Sequence, residues 1–323
     1  MKQIDSHVHI VGTGAGDTGC WMRSGGWRAP LEWLMCRHIG LPRDAFARDF
    51  DQIYVARLLE MVRVSSLDAA VILAMDEVYD PNGVRMEGAG SFYVPNDYVL
   101  MLGKQHPEFL PGISIHPARP DAMEALEHGL ENGAVLLKLL PNCHNVDCND
   151  RRYQKFWERM AEARLPLLAH TGGEHTVPVI NAKLADPRTL TLPLESGVPV
   201  IAAHSATRSG LFDPDYLDVL EEMMTRFPNL YADNSAFNIP IRSAAIRRCR
   251  ESPLVERMLH GSDFPVLIYG HWAWLRGLID HATFRRWQKE PNVLERDYQL
   301  KKAMGFPEEV FTRAAGLLRG VTG

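Results

Sequence analysis

Cysteine is scarce in this sequence. Its five residues, Cys20, Cys36, Cys143, Cys148 and Cys249, form no C-x-x-C pair. An odd number without that spacing argues against a disulfide framework or a zinc ribbon. Free thiols suit a reducing cytoplasm, so a cytoplasmic protein is expected. Excess charge of one sign is also missing: 35 Lys and Arg face 40 Asp and Glu, for a net charge of −5. No basic stripe forms. Arg247, Arg248 and Arg250 cluster on a stretch that reads as an exposed, solvated helix face. Nucleic-acid binding therefore lacks electrostatic support. No apolar run is long enough for a membrane span or a signal peptide. Repeats, low-complexity tracts and interdomain linkers are absent too. The expected partner is a small molecule, with neither nucleic acid nor membrane.

What is there fits one large domain over residues 1–323. That length suits a single α/β barrel with enlarged loops, and 46% hydrophobic residues can fill a large core. Short β-branched runs alternate with helical stretches, the pattern of a parallel sheet covered by helices. Eight strands are expected: Gln3–His9, Ala69–Ala74, Leu110–His116, Ala134–Leu140, Pro166–His170, Pro199–His204, Leu230–Asn234 and Arg257–Asp263. Runs such as AAVILA and VPVIAAH suit strands buried on both faces. Helices are expected over Asp121–Leu130, Arg151–Ala163, Asp215–Arg226 and Glu308–Leu318. In YLDVLEEMMTRF the apolar residues recur at helical spacing, so Met223 and Met224 read as core. The fold class is α/β, a (β/α)8 TIM barrel with enlarged βα loops.

Several expected strands end in a polar residue: His9, His116, His170, His204, Asn234 and Asp263. In a parallel barrel these ends share the rim that carries active sites. His7 and His9 alternate on one strand and so point to the same side. With His170, His204 and Asp263 on the same rim they would be costly polar groups unless a partner satisfied them. A divalent cation is such a partner, and imidazole with carboxylate suits zinc. Lys138 sits in the apolar strand AVLLKLLP, where a lone ammonium tends to lose its proton. Three readings stay open for it. It reaches a carboxylate or the pocket mouth, it is carboxylated by carbon dioxide and bridges two metals, or it binds substrate.

The segments IDSHVHI, LLKLLPN, PLLAHTGG, VIAAHS and HGSDFP, in this order across residues 4 to 265, resemble the amidohydrolase superfamily. They resemble in particular the amidohydrolase-related group that contains aminocarboxymuconate-semialdehyde decarboxylase and related hydrolases. The resemblance implies a metal centre held by His7, His9, His170 and Asp263, with Asp263 also the general base. His204 matches a ligand of a second metal or, in decarboxylases with one metal, a catalytic residue. Lys138 matches the carboxylated lysine of binuclear members. The implied cofactor is one or two divalent ions, most simply zinc. The implied activity is hydrolysis of an amide, lactone or carboxylic ester of a small molecule. The alternative is a metal-dependent non-oxidative decarboxylase, a carbon–carbon lyase. Relatives of this type are often homodimers.

Further residues are candidates by position. Asp5 is placed to orient the first histidine pair. Glu174 and His175, in TGGEHT, and Asn142 and His144, after the lysine strand, are candidates to line the pocket and bind substrate. Arg208 is the candidate to bind a substrate carboxylate, against the alternative of an exposed salt bridge. The long connections Val11–Asp44, Asp76–Asn96 and Phe264–Tyr298 would leave the rim and build the pocket and its lid. Trp21, Trp27, Trp33, Trp272 and Trp274 lie in such loops, as pocket walls or as filling for loop cores.

Overall fold

The structure, a computed structural model, describes residues 1–23 and 29–321. Trp27 lies outside the described residues. Ten strands run in chain order: β1 Ile4–His9, β2 Trp21–Met22, β3 Ala69–Leu73, β4 Phe92–Tyr93, β5 Phe109–Ile113, β6 Leu136–Leu139, β7 Leu167–Ala169, β8 Val200–Ala202, β9 Leu230–Asp233 and β10 Met258–Leu259. Eight of them form one parallel sheet in the order β1-β3-β5-β6-β7-β8-β9-β10. The last rejoins the first through Ser6 N–H to His260 O, 2.9 Å, and His9 N–H to Phe264 O, 2.8 Å. The result is a nearly closed (β/α)8 barrel. All eight expected strands are present, several trimmed at the end. The chain leaves the ladder at Ala202 rather than His204, and at Leu259 rather than Asp263.

Helices cover the outside. Ala122–Glu131, Gln154–Glu162 and Leu217–Arg226 lie where helical spacing puts them, and Met223 and Met224 are buried in the main core. The stretch around Arg247 is the short helix Ile246–Glu251, on which Arg248 pairs with Glu221 (2.5 Å) and Asp218. No helix among the described residues is long and apolar enough to cross a membrane. A smaller core fills the barrel interior with Ile4, Val71, Leu136, Leu168, Ile201 and Leu259, joined by Ala314, Ala315 and Leu318 from the C-terminal segment. These residues fill the end opposite the rim.

One irregularity decides what β1 presents. Its pairing with β3 runs Ile4 to Ala69 and Asp5 to Ala70, then Val8 to Ile72 and His9 to Leu73. One extra residue is therefore accommodated in β1 between Asp5 and Val8. Because side chains alternate with period 2, such a bulge exchanges the two faces. Ile4 is packed in the barrel interior, while Val8 joins the outer core. The switch lets His7 and His9 point inward. Gly261 makes room for them: a Cβ there would stand 2.8 Å from the Cβ of His7.

Candidate metal centre

The rim encloses a cavity of about 150 Å³ whose floor carries His7, His9, Lys138, His170, His204 and Asp263. These six converge. His7 Nε2 lies 3.2 Å from His9 Nε2, 3.0 Å from Lys138 Nζ and 3.3 Å from Asp263 Oδ1. His9 Nε2 lies 3.4 Å from the same Asp263 oxygen, and His204 Nε2 lies 3.2 Å from His170 Nδ1. Donors bound to one ion at ~2.0–2.1 Å stand roughly 3.0–3.4 Å apart, so the separations among His7, His9 and Asp263 fit ligands of one ion.

Tautomers point the same way. Asp233, at the end of β9, accepts from His7 Nδ1 at 2.8 Å, which leaves the His7 Nε2 lone pair facing the centre. Its other oxygen accepts from the backbone N–H of His204 at 2.6 Å and from the Ser235 hydroxyl. With that hydroxyl donating to Asp233, Ser235 Oγ accepts from His204 Nδ1 at 2.8 Å, so Nε2 of His204 is also an open lone pair. His9 Nδ1 and His170 Nε2 are buried with no hydrogen-bond partner among the described residues. Two trios hold ligand atoms within 4.8 Å of one another: His7, His9 and Asp263, and His7, His204 and Asp233. The first is the better candidate, because Asp233 is already engaged with Nδ1 of His7.

Electrostatics keep these donors free of protons. Burial, helped by the Lys138 charge, brings His7 down to about 4. Burial likewise brings His170 to about 4 and His204 well below the ordinary range. Burial pushes the Asp263 carboxyl up, but His7, His9 and Lys138 outweigh it and hold the group below its usual value. Lys138 falls to about 8 by burial, against the pull of Asp263, Asp233 and Glu174. The set thus includes neutral imidazoles at His7, His170 and His204, an ionised carboxylate and a readily neutralised amine, which fits a divalent cation.

The backbone makes the convergence possible. His204, Ser205, Ala206 and Asp263 all have φ between 50° and 64°. Left-handed backbone costs roughly 1–2 kcal/mol per residue outside glycine. It is held here by the Asp233 bond to His204 N–H and by Asp263 N–H donating to His7 O at 2.9 Å. Strain of this kind concentrates at functional sites.

Other expected residues fall elsewhere. Glu174 and His175 line the cavity. His144 does not: it is buried behind the wall, where Nδ1 accepts from Leu140 N–H at 3.2 Å and Nε2 meets Met75 Sδ at 3.2 Å. Asn142 is buried too and does not line it. His116 turns away, donating to His144 O at 3.0 Å. Arg208 stands outside the cavity, 45% exposed, with Asp215 4.0 Å away, which is the surface-pair alternative. Asp5 does not reach an imidazole. Its Oδ1 accepts from the backbone N–H groups of His7 and Ser262 instead. None of Trp21, Trp33, Trp272 and Trp274 lines the cavity, and Trp33 and Trp274 are exposed rather than filling a loop core. All three long connections do contribute walls, through Val11, Met22 and Met35, through Ser91 and Phe92, and through Pro265 and Val266.

Sequence reasoning missed Asp233, Ser235 and Arg242. It took Asn234 as the polar end of its strand, whereas Asp233 is the residue that reaches His7. A carboxylate inside the otherwise apolar LYAD was the available signal, since a buried charge needs a partner. The buried Arg242 gives Nη2–H to Gly173 O at 2.8 Å and Nη1–H to Thr207 O at 2.5 Å, tying the loops after β7 and β8 together.

The family described as Amidohydrolase matches residues 4–296. This chain belongs to the amidohydrolase family. The family is generally metal-dependent, and its members carry decarboxylase and isomerase as well as hydrolase chemistry. Among solved structures the amidohydrolase fold seen here is similar to an uncharacterized TIM-barrel protein of Bordetella bronchiseptica. That likeness has a TM-score of 0.59 at 17% identity and covers 94% of this chain and 100% of the other. It is also similar to IDCase of Metarhizium anisopliae in apo form, with a TM-score of 0.52 at 12% identity over 98% of this chain and 97% of that one. At these identities the likeness shows the fold alone. No curated protein sequence matches the chain.

Proposed function

We propose that this amidohydrolase is a metal-dependent hydrolase that cleaves an amide, lactone or carboxylic ester of a small molecule. The observation that carries the reading is the convergence of open imidazole lone pairs and one ionised carboxylate on a single point of the cavity floor. His7, His9, His170 and Asp263 would hold the ion, with His204 and Lys138 available to a second one. A nitrogen-rich set with one carboxylate suits zinc. A divalent cation held there supplies Lewis acidity, making water more acidic and polarising a carbonyl oxygen.

The chain's own residues do the rest. Asp263 is the base: its carboxylate removes a proton from the attacking water and returns it to the leaving group. Asp233 fixes the His7 tautomer, and Ser235 fixes that of His204. Lys138, as a neutral amine, would form an N–C bond to carbon dioxide with release of a proton, turning a competing cation into an anion that could help hold a second ion. Glu174 and His175 flank the substrate.

The test is elemental analysis of protein purified without chelators, with turnover followed on a panel of amides, lactones and esters. One or two divalent ions per chain and hydrolysis of a panel member are expected. Asp263→Asn should keep the fold and lose roughly 10²–10⁴ in rate. An unimpaired Asp263→Asn enzyme rejects the base role. One ion, an unmodified Lys138 and carbon dioxide release from a carboxylic acid would favour the decarboxylase instead.

A further inference from the structure

The helix Val293–Ala303 buries two charged side chains, Asp297 and Lys301, one turn apart and 1% and 0% exposed. Lys301 Nζ donates to Asp297 Oδ2 at 2.6 Å. Taking two charges out of water is costly, and an apolar pair of similar size often serves a fold as well. Stability alone is therefore a poor reason for the pair, and its further partners show what it holds. Lys301 Nζ also donates to Gly261 O at 2.6 Å. Asp297 Oδ1 accepts from Asn238 Nδ2 at 2.5 Å. Gly261 lies in the turn between β10 and Asp263, and Asn238 lies in the loop that follows Asp233 and β9. From one helix the pair reaches both segments.

The turn after β10 has little slack. His260 O accepts from Ser6 N–H, Ser262 N–H donates to Asp5 Oδ1, and Asp263 N–H donates to His7 O. Gly261 is pressed so closely on His7 that a Cβ would have no room. Two residues later Asp263 takes its left-handed backbone, φ 64°. Such a residue keeps that conformation only where its surroundings over-determine it. The Gly261 carbonyl is fixed from outside the barrel, by Lys301.

Resting on the reading of Asp263 as ligand and base, we infer that Lys301 is a positioning residue for that carboxylate. It pins the Gly261 carbonyl, and the short turn passes the constraint on to Asp263, which stands 3.3 Å from His7 Nε2 and 3.4 Å from His9 Nε2. Asp297 holds the ammonium in place. Lys301 does not line the cavity, so it acts through the backbone alone. Groups that orient a ligand from behind are worth about 10–100-fold in metal affinity.

Two full-length variants separate positioning from plain support of the fold. Lys301→Met keeps the apolar stem and removes the donors, but it leaves Asp297 buried without its cation. Lys301→Met with Asp297→Asn leaves no unpaired charge, and Asn238 keeps an acceptor. Zinc affinity is read by competition with a chromogenic chelator, and stability by urea unfolding of the metal-free protein. The single variant should lose both. The double variant should regain much of the urea midpoint while its zinc affinity stays about 10–100-fold below wild type. Zinc affinity that follows the urea midpoint from chain to chain overturns the inference. If the single variant does not fold, the double is compared with wild type on the same terms. A double variant that does not fold overturns the inference as well, since the barrel itself then requires the pair. A wild-type chain that takes up no zinc or other divalent ion overturns the metal-dependent reading beneath it, a result the variants do not imitate.

Discussion

Two groups of histidines, all buried but for the part-buried His9, stand behind the same rim and differ in one respect. On one side His116 and His144 are satisfied within the protein. His116 Nδ1 accepts from Ala118 N–H and its Nε2 donates to His144 O, while His144 uses its nitrogens on Leu140 N–H and Met75 Sδ. On the other side His7 and His204 turn Nε2 lone pairs towards His9 and His170, whose Nδ1 and Nε2, respectively, find no partner among the described residues. Burial lowers His116 to about 4 and His144 to about 3, as it lowers His7 and His170 to about 4. Depressed basicity therefore does not distinguish a ligand from a structural histidine. The fate of each lone pair does.

The largest effect that would break this comparison is loss of metal. His9→Ala removes an open lone pair, so metal content by elemental analysis should fall to background and hydrolysis by several orders of magnitude. Next, Asp233→Asn frees His7 to adopt the wrong tautomer. It should weaken metal binding about 10–100-fold, read by competition with a chelator. On the structural side, His144→Ala should leave metal content unchanged. Stability should drop by about 1–3 kcal/mol in urea, because Leu140 N–H loses its acceptor in the core.

Acid should act on the same pair more gently. His116 and His144 lie below their ordinary value of 6.5 in the folded state. The unfolded chain binds more protons beneath that pH, so the stability they contribute is complete above about 6.5. It declines as pH falls towards about 4 and then about 3. Thermal melts of metal-free protein from pH 7 to 4 should show a falling Tm, less steep in His144→Ala. The smallest effect belongs to Arg208→Ala, which should leave kcat/KM unchanged and stability within about 0.5 kcal/mol of wild type. A carboxylate substrate whose KM rises sharply in that variant would put Arg208 back among the binding residues.

The barrel was legible because runs such as AAVILA and VPVIAAH have no stable place except between two layers, and their polar ends mark one rim. His7, His9, His170, His204 and Asp263 were legible for that reason. Asp233 was not, since its bond to His7 spans 226 residues of sequence and period-2 alternation alone does not say which of Asp233 and Asn234 turns inward. His144 was misread because nearness to Lys138 in sequence says nothing about which side of a wall a ring occupies. Arg208 was left between two roles for a related reason: three left-handed residues, His204 to Ala206, redirect the chain just before it. No propensity announces that turn.

The seam that closes the barrel also sets the order in which the centre comes into being. Ser6 and His260, which meet there, are 254 residues apart, so His7 and His9 leave the ribosome long before Asp263 does. A nascent chain therefore carries an incomplete chelating pair through most of its synthesis. The last strand supplies the barrel's closing edge and the turn just after it supplies Asp263, so on the metal-dependent reading capture of an ion would wait for completion of the barrel.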